Sequence, residues 1–359
     1  MQPMSATPSE PAGRGNEDAV RPEGRGGLGL AFDLGVAAVL YLTVTVGLLP
    51  WYSTRLFGRE EFRSYFSQGV YQFRILGPDV VLWLDRSVIS GDPLGSHLVV
   101  NGRHPRAADL FTAITVVNAV SLVAVVLLAR AIVRRARIAE PARSLVMVVL
   151  LSVVAISLST VTPYDLPSLA LILAILVVAD LRSPWYVLAI PLVVVGVLTR
   201  ESALLAVAAL LARSWVVPPT RRRVAVIVAA AVVGVAAYLG VRIGSSSPSF
   251  WEALTIEGNL ARLIQWMGLA MMAVVYLIWR RVCRLAGLDG PLQRRAVWWF
   301  WVFASPYVVT SLLTGYWFEL RLLVPLVVCE LWLRGDLRQD ASGGTSRACT
   351  STMGTSGRT

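Results

Sequence analysis

Apolar residues along this chain gather into roughly ten runs, about 29–50, 109–130, 143–162, 165–181, 185–199, 201–216, 224–243, 261–279, 296–314 and 319–333. A helix crosses the hydrocarbon core of a bilayer with about 20 apolar residues. The pattern therefore predicts an all-α fold, a polytopic membrane bundle of about ten spans. The fourth, fifth, sixth and tenth runs are short, so tilted or broken helices are expected there. The first run is read as a retained anchor, since it follows a long tail and lacks a small-residue cleavage site. Between the first two runs lies an outer loop, 51–108, containing Val70-Tyr71-Gln72-Phe73-Arg74-Ile75-Leu76-Gly77-Pro78 and then Val80 to Leu84. That mixture fits interfacial helices lying along the membrane surface. Segments 1–28 and 336–359 are rich in Gly, Pro and Glu or in Ser, Thr and Gly, and are expected to be disordered cytoplasmic tails. They leave 29–335 as the membrane domain.

Composition agrees with this reading. The chain has 359 residues, of which 56% are hydrophobic and 15% charged. Its mean hydropathy of +0.64 lies far outside the soluble range. A soluble enzyme and a nucleic-acid binder are both excluded on that ground. All 33 basic residues are arginine, and the net charge of +11 reports topology and anionic lipid. Most arginines fall in short segments on one side of the spans, among them Arg134, Arg135 and Arg137, then Arg221, Arg222 and Arg223, then Arg280, Arg281 and Arg284. The positive-inside rule places those segments, and both termini, in the cytoplasm, with the chain in the cell's inner (plasma) membrane. Cys283, Cys329 and Cys349 form no framework or zinc motif, and His97 and His104 read as loop residues. No cofactor is predicted; a divalent metal stays open, as do sugar, acceptor and oligomeric state.

Candidate chemistry concentrates at the outer ends of the spans. Asp109, Asp165, Glu201, Glu257 and Glu319 each open an apolar run, and Arg106, Arg200, Arg262 and Arg321 lie close by. An acid in the first turn of a helix is stabilising by about 0.3–1 kcal/mol, so capping explains the acids about as well as function does. Capping does not explain the arginines, which oppose the positive-inside bias. Structural ion pairs, Arg200 with Glu201 and Arg321 with Glu319, are one account of them. Phosphate binding is the other, because the planar guanidinium fork donates in parallel. In the outer loop, Arg59-Glu60-Glu61-Phe62-Arg63 offers adjacent carboxylates as a general base, against the alternative of a solvated charge run. Arg74 sits among apolar residues and must find a partner or snorkel to lipid phosphate. Trp51, Tyr52, Tyr316, Trp317 and Phe318 read as an aromatic belt.

This arrangement resembles the polyprenyl-phosphate-sugar-dependent membrane glycosyltransferases of the GT-C group. The likeness rests on the acidic first outer loop and charged outer helix ends. Locally it rests on Gln72-Phe73-Arg74-Ile75-Leu76-Gly77-Pro78, Pro163-Tyr164-Asp165-Leu166, Thr199-Arg200-Glu201-Ser202-Ala203-Leu204 and Glu319-Leu320-Arg321, which are similar to stretches in bacterial members. The resemblance implies a transferase acting at the outer face on a polyprenyl-phosphate-linked sugar, with membrane lipid as its surroundings. Glu60 or Glu61 would then be the base. Arg74, Asp165, Arg200, Glu201, Glu319 and Arg321 would form the substrate-binding set. The chain departs in having Glu-Glu where an Asp-containing pair is usual and in lacking a large soluble C-terminal domain, which points to a compact member or a non-catalytic relative. A transporter or flippase for a lipid-linked or anionic solute is the alternative, although span interiors nearly free of charge (Asn118 and Gln265 apart) and the absence of repeats disfavour it. A scaffold subunit of an envelope assembly is the third.

Overall fold

A computed structural model of the chain describes residues 25–44, 58–67, 72–89, 108–157, 162–181, 184–243, 254–317 and 319–351. Every regular element among them is helical. In chain order these are α1 (Arg25–Leu42), α2 (Arg59–Phe66), α3 (Leu76–Ser87), α4 (Ala108–Arg135), α5 (Ala142–Ser157), α6 (Asp165–Ala179), α7 (Ala189–Thr199), α8 (Leu204–Val216), α9 (Arg221–Arg242), α10 (Ile256–Ala261), α11 (Leu263–Leu285), α12 (Pro291–Thr314) and α13 (Val324–Ser351). Trp51, Tyr52, His97, His104, Arg106 and Phe318 lie outside the described residues, as do 1–24 and 352–359 of the two tails. α13 runs on as helix past residue 335, where the apolar pattern stops.

A helix lies over each apolar run. By length and composition, four helices are able to cross a membrane alone: Asp109–Arg135, Arg221–Arg242, Leu263–Leu285 and Pro291–Thr314. Four more, at Gly27–Leu42, Ala142–Ala155, Asp165–Ala179 and Trp185–Thr199, are apolar but shorter. Helix lengths alone thus support four crossings rather than the ten expected.

The core is organised around α6, which is apolar on every side, and the apolar first turns of α13. α6 buries Leu166, Leu169, Ile172, Leu173, Ile175 and Leu176 and packs against α4, α7, α8 and α13. α13 buries Val327, Val328, Leu331 and Leu333 against α4, α6, α8 and α12. A helix without a polar face belongs in an interior. α9 and α11 do the reverse. Val228, Val232, Val235 and Leu239 of α9, and Leu263, Met267, Met271 and Val274 of α11, are exposed. An apolar belt of that size is unfavourable in water and neutral in hydrocarbon. The chain is a helical membrane protein. Both helices of the 51–108 segment, α2 and α3, dock on the start of α4, where Phe62, Val81, Leu110, Phe111 and Ile114 form a separate buried cluster.

The span interiors are not as free of charge as expected. Asp33 of α1 and Arg130 of α4 are both buried and pair with each other. Gly29 makes room for that guanidinium, since a Cβ there would meet Arg130 Nη2 at 2.6 Å. Glu330 and Arg334, 0% and 1% exposed, pair within α13. Tyr276 and Trp301 donate to Glu330 at 2.6 and 2.8 Å, and Arg334 also reaches Asp289 at 2.7 Å. A buried ion needs an opposite charge beside it, and each of these four has one. The pattern of apolar runs hid the two acids, Asp33 and Glu330, because each run tolerates one charge without losing its hydropathy.

Removing one member of the α1–α4 pair strands a charge in the core. Asp33→Ala is expected to cost about 3–5 kcal/mol, while the double change Asp33→Leu with Arg130→Met costs less than either single change. Thermal unfolding of the purified protein in detergent measures this, and additive losses would show that the pair is not coupled.

Candidate functional site

Six residues from four separate parts of the chain meet at the start of α6. Arg74, in the segment entering α3, bonds Glu201 through Nη2 at 2.8 Å and Nε at 3.3 Å. Arg200 pairs with Asp165. Arg321 reaches the other oxygen of Asp165 at 3.3 Å and holds Glu319 at 2.9 Å. Thr162 donates to Asp165 at 2.6 Å. Tyr164 sits beneath the cations, its ring 4.4 Å from the Arg74 guanidinium and 5.8 Å from that of Arg200. These are the six residues expected to bind substrate, now one contiguous cluster.

Local backbone explains the convergence. Gly77 in the first turn of α3 lies against Pro163 and Tyr164, where a Cβ would meet the Pro163 carbonyl at 2.8 Å. Only glycine allows α3 so close, and this approach carries Arg74 onto the Tyr164 ring. α7 ends at Arg200, which is extended at φ −164° and ψ 138°, and a single 3-10 turn, Glu201–Ala203, leads into α8. An extended residue sends its side chain away from that of its neighbour. Arg200 therefore faces α6, while Glu201 faces Arg74. The sequence neighbours are thus not each other's hydrogen-bonded partners, contrary to the pairing expected. Ser202, in the same turn, shares a hydrogen bond of 3.0 Å with Ser168 of α6. Arg321 enters from a short turn, Leu320–Leu322, before α13. Its pairing with Glu319 is as expected.

Asp165 stands in the first turn of α6, where the capping account expects an acid, but its contacts go beyond capping. The residue capping α6 is Tyr164 and makes no side-chain cap, and both oxygens of Asp165 are engaged by Arg200, Arg321 and Thr162. Asp109, at the start of α4, pairs with Arg59, which also binds Asp85 at 3.0 Å and so ties α2 to α3 and α4. Glu257 and Arg262 are exposed. Burial works against the charge of Arg74, but Glu201 more than offsets it and the guanidinium pKa is raised. Arg74 is a permanent cation. Within the cluster three guanidiniums balance three carboxylates, and the Nε of Arg200, buried, has no acceptor among the described residues.

A groove of about 400 Å³ opens beside the cluster. Its floor is α8 (Leu204, Leu205, Val207, Ala208 and Leu211), and α9 and α12 are its walls, with Ala231, Val235 and Tyr238 on one side and Phe303, Ala304, Pro306, Tyr307 and Thr310 on the other. Glu201 stands at one end. From there to Leu211 the groove follows α8 for about 15 Å. Its polar groups (Glu201, Tyr238, Tyr307 and Thr310) lie at the Glu201 end, and the rest is hydrocarbon. Pro306 removes a backbone donor from α12, and the Ser305 hydroxyl satisfies the freed Val302 carbonyl at 2.8 Å. Glu201 is the cluster carboxylate with the most exposed side chain, at 32% against 3% for Asp165 and 15% for Glu319.

Glu60 and Glu61 occupy the first turn of α2, both exposed, and neither lines the groove. The buried side of that helix is aromatic: Phe62 is in the core, and the Phe66 ring lies 5.9 Å from that of Tyr164. Among the described residues no three His, Cys, Asp or Glu side chains gather as a metal site. The groove itself was not legible in the sequence. Tyr238 was its one signal, a polar ring in an otherwise apolar run.

Asp165 holds two buried cations, whereas Glu319 holds one that Asp165 also serves. Asp165→Ala is expected to destabilise the protein by about 3–5 kcal/mol and Glu319→Ala by clearly less, as read from thermal unfolding in detergent. Equal losses would contradict a cluster centred on Asp165. No protein family, curated protein or solved structure gives a match to this chain.

Proposed function

We propose that this chain is a multi-pass protein of the plasma membrane, with both termini cytoplasmic and about ten crossings, that transfers a sugar from a polyprenyl-phosphate carrier to an acceptor at the outer face. The observation that carries this reading is the gradient along the groove: a hydrocarbon channel open toward lipid, ending at Glu201 and the buried guanidinium cluster. Such a shape matches an amphiphile with one long chain and an anionic, hydrogen-bonding head. The exposed apolar walls of α9 let a carrier enter sideways from the bilayer. The likeness to GT-C transferases supplies the reaction class. In the reaction the acceptor hydroxyl loses its proton to a carboxylate, attacks the anomeric carbon, and the carrier phosphate leaves with the electron pair of the broken bond. Glu201 is the carboxylate best placed to take that proton, since it alone of the cluster acids both lines the groove and is partly exposed. This moves the base from Glu60 or Glu61 to Glu201. The orphaned Nε of Arg200 and the adjacent Arg74 are positioned to meet developing charge.

A second reading has one observation in its favour. The six charges neutralise one another, as a purely structural cluster in a non-catalytic envelope subunit would require. The two readings separate in nanodiscs. Transfer predicts saturable binding of polyprenyl phosphate, turnover of a polyprenyl-phosphate sugar, and a fall of about 10²–10⁴-fold in turnover for Glu201→Gln with the fold retained. Absence of carrier binding, together with envelope glycans unchanged by Arg200→Ala and Arg321→Ala, would overturn it in favour of the structural role.

A further inference from the structure

The groove stops at a set of aromatic rings. Along α8 its floor runs through Leu204, Ala208 and Leu211, and the next position on that face is Trp215. Along α12 its wall runs from Thr310 through Tyr307 to Phe303, and one turn further on is Trp299. Where these two stripes would continue the groove, their rings meet instead. Trp215 lies 4.8 Å from Trp299 and 6.2 Å from Phe303, centre to centre. Trp299 stacks on Phe303 at 5.9 Å, with 25° between the planes. Phe303 thus belongs both to the groove lining and to the ring stack behind it. An aromatic belt at the membrane boundary accounts for the exposure of Trp215 and Trp298. It does not account for a stack that continues inward to a residue of the groove wall.

Side-chain size therefore sets the length of the groove. Ala208, Ala231 and Ala304 leave the space, and one turn on the three rings fill the gap between α8 and α12. From Glu201 to Leu211 the floor is about 15 Å long. An isoprene unit adds four chain bonds of about 1.5 Å, or about 5 Å of extended length once their zigzag is allowed for. We infer that Trp215, Trp299 and Phe303 form a stop, so that the groove takes about three isoprene units of a polyprenyl carrier. The remainder of the chain turns out between α9 and α12 into the bilayer. This inference rests on the proposed function and adds to it the part of the carrier that is recognised. The protein reads the units nearest the head group and is indifferent to the length beyond them.

Lipid tails are as apolar as the groove, so entry gains contact and shape rather than escape from water. Position along the groove is then a better readout than affinity. The test is photo-crosslinking in nanodiscs with polyprenyl phosphates that carry a diazirine on the third or the fourth unit from the phosphate. Labelled sites are mapped by peptide sequencing, and unlabelled polyprenyl phosphate serves as competitor. In the wild type the third-unit probe should label Leu211 or Phe303. The fourth-unit probe should label bilayer lipid but neither 212–216 nor 296–300. Trp215→Ala and Phe303→Ala should each admit the fourth unit to those segments, a shift of about one helical turn, or about 5 Å. Trp215 is exposed, so its truncation keeps the fold, with thermal unfolding in detergent as the check. Ala208→Phe, which fills the floor and removes no packing, should withdraw the third-unit label from Leu211 and Phe303. Fourth-unit labelling of 212–216 or 296–300 in the wild type overturns the stop and leaves the proposed function standing, as does a pattern unchanged in both truncations. Competed labelling of the groove by neither probe overturns the proposed function, and this inference with it.

Discussion

One carboxylate carries the end of this bundle at which α6 begins. Asp165 opens the central helix, is almost fully buried, and accepts from Arg200, Arg321 and Thr162 at once. An isolated carboxylate in such surroundings would cost many kcal/mol. Two guanidiniums without it would cost more. The only stable arrangement is the complete one, so the ends of α7 and α13 must arrive beside the start of α6 together. That requirement fixes the rest: the extended residue at Arg200 turns Glu201 outward, Glu201 then meets Arg74, and α3 is held against Pro163 and Tyr164 through Gly77.

The same physics decides what the site offers a ligand. Ion pairs inside an apolar bundle are strong because no water screens them, and for that reason they are not readily exchanged for new partners. Asp165 is therefore scaffolding. Glu201 differs because its side chain is a third exposed and looks along the groove, so one edge of the cluster is accessible while its centre is not. A rigid, charge-balanced block flanking an apolar groove gives a preorganised surface, in which dipoles are already fixed in orientation.

Much of this was legible in the chain. Arg200 and Arg321 stand out because arginine on the outer side of an apolar run violates the topological bias, and Arg74 because it interrupts an aromatic stretch. The helices themselves follow from the apolar runs. What could not be read was partnership. Adjacency suggested Arg200 with Glu201, yet a side chain's direction at a helix end depends on one backbone angle that composition does not encode. Asp33 and Glu330 escaped notice for a related reason: a single charge hardly alters the hydropathy of a long run. Glu60 and Glu61 stand out in the chain but lie apart from the groove. Paired acids look like chemistry, but Phe62 and Phe66 fix which face of α2 is inward, and the acids lie off it.

The groove exists because α8 is lined with small and branched residues where α9 and α12 both lean on it. Ala208 on the floor, Ala231 on one wall and Ala304 on the other leave space that leucines would close. Gly234, one turn from Ala231, brings α9 hard against α7 and α8, since a Cβ there would meet Val193 at 2.7 Å and Leu204 at 3.1 Å. α9 is thereby pinned at its middle while its outer end, with Tyr238 and Arg242, projects past the floor toward Phe73. The outer loop and the membrane helices thus meet at two points, Arg74 on Glu201 and Phe73 beneath Arg242, which stand on adjacent residues of one segment. Any movement of that segment shifts both contacts together. The outer-loop segment at Phe73 and Arg74 therefore links the mouth of the channel to the charge cluster beside it.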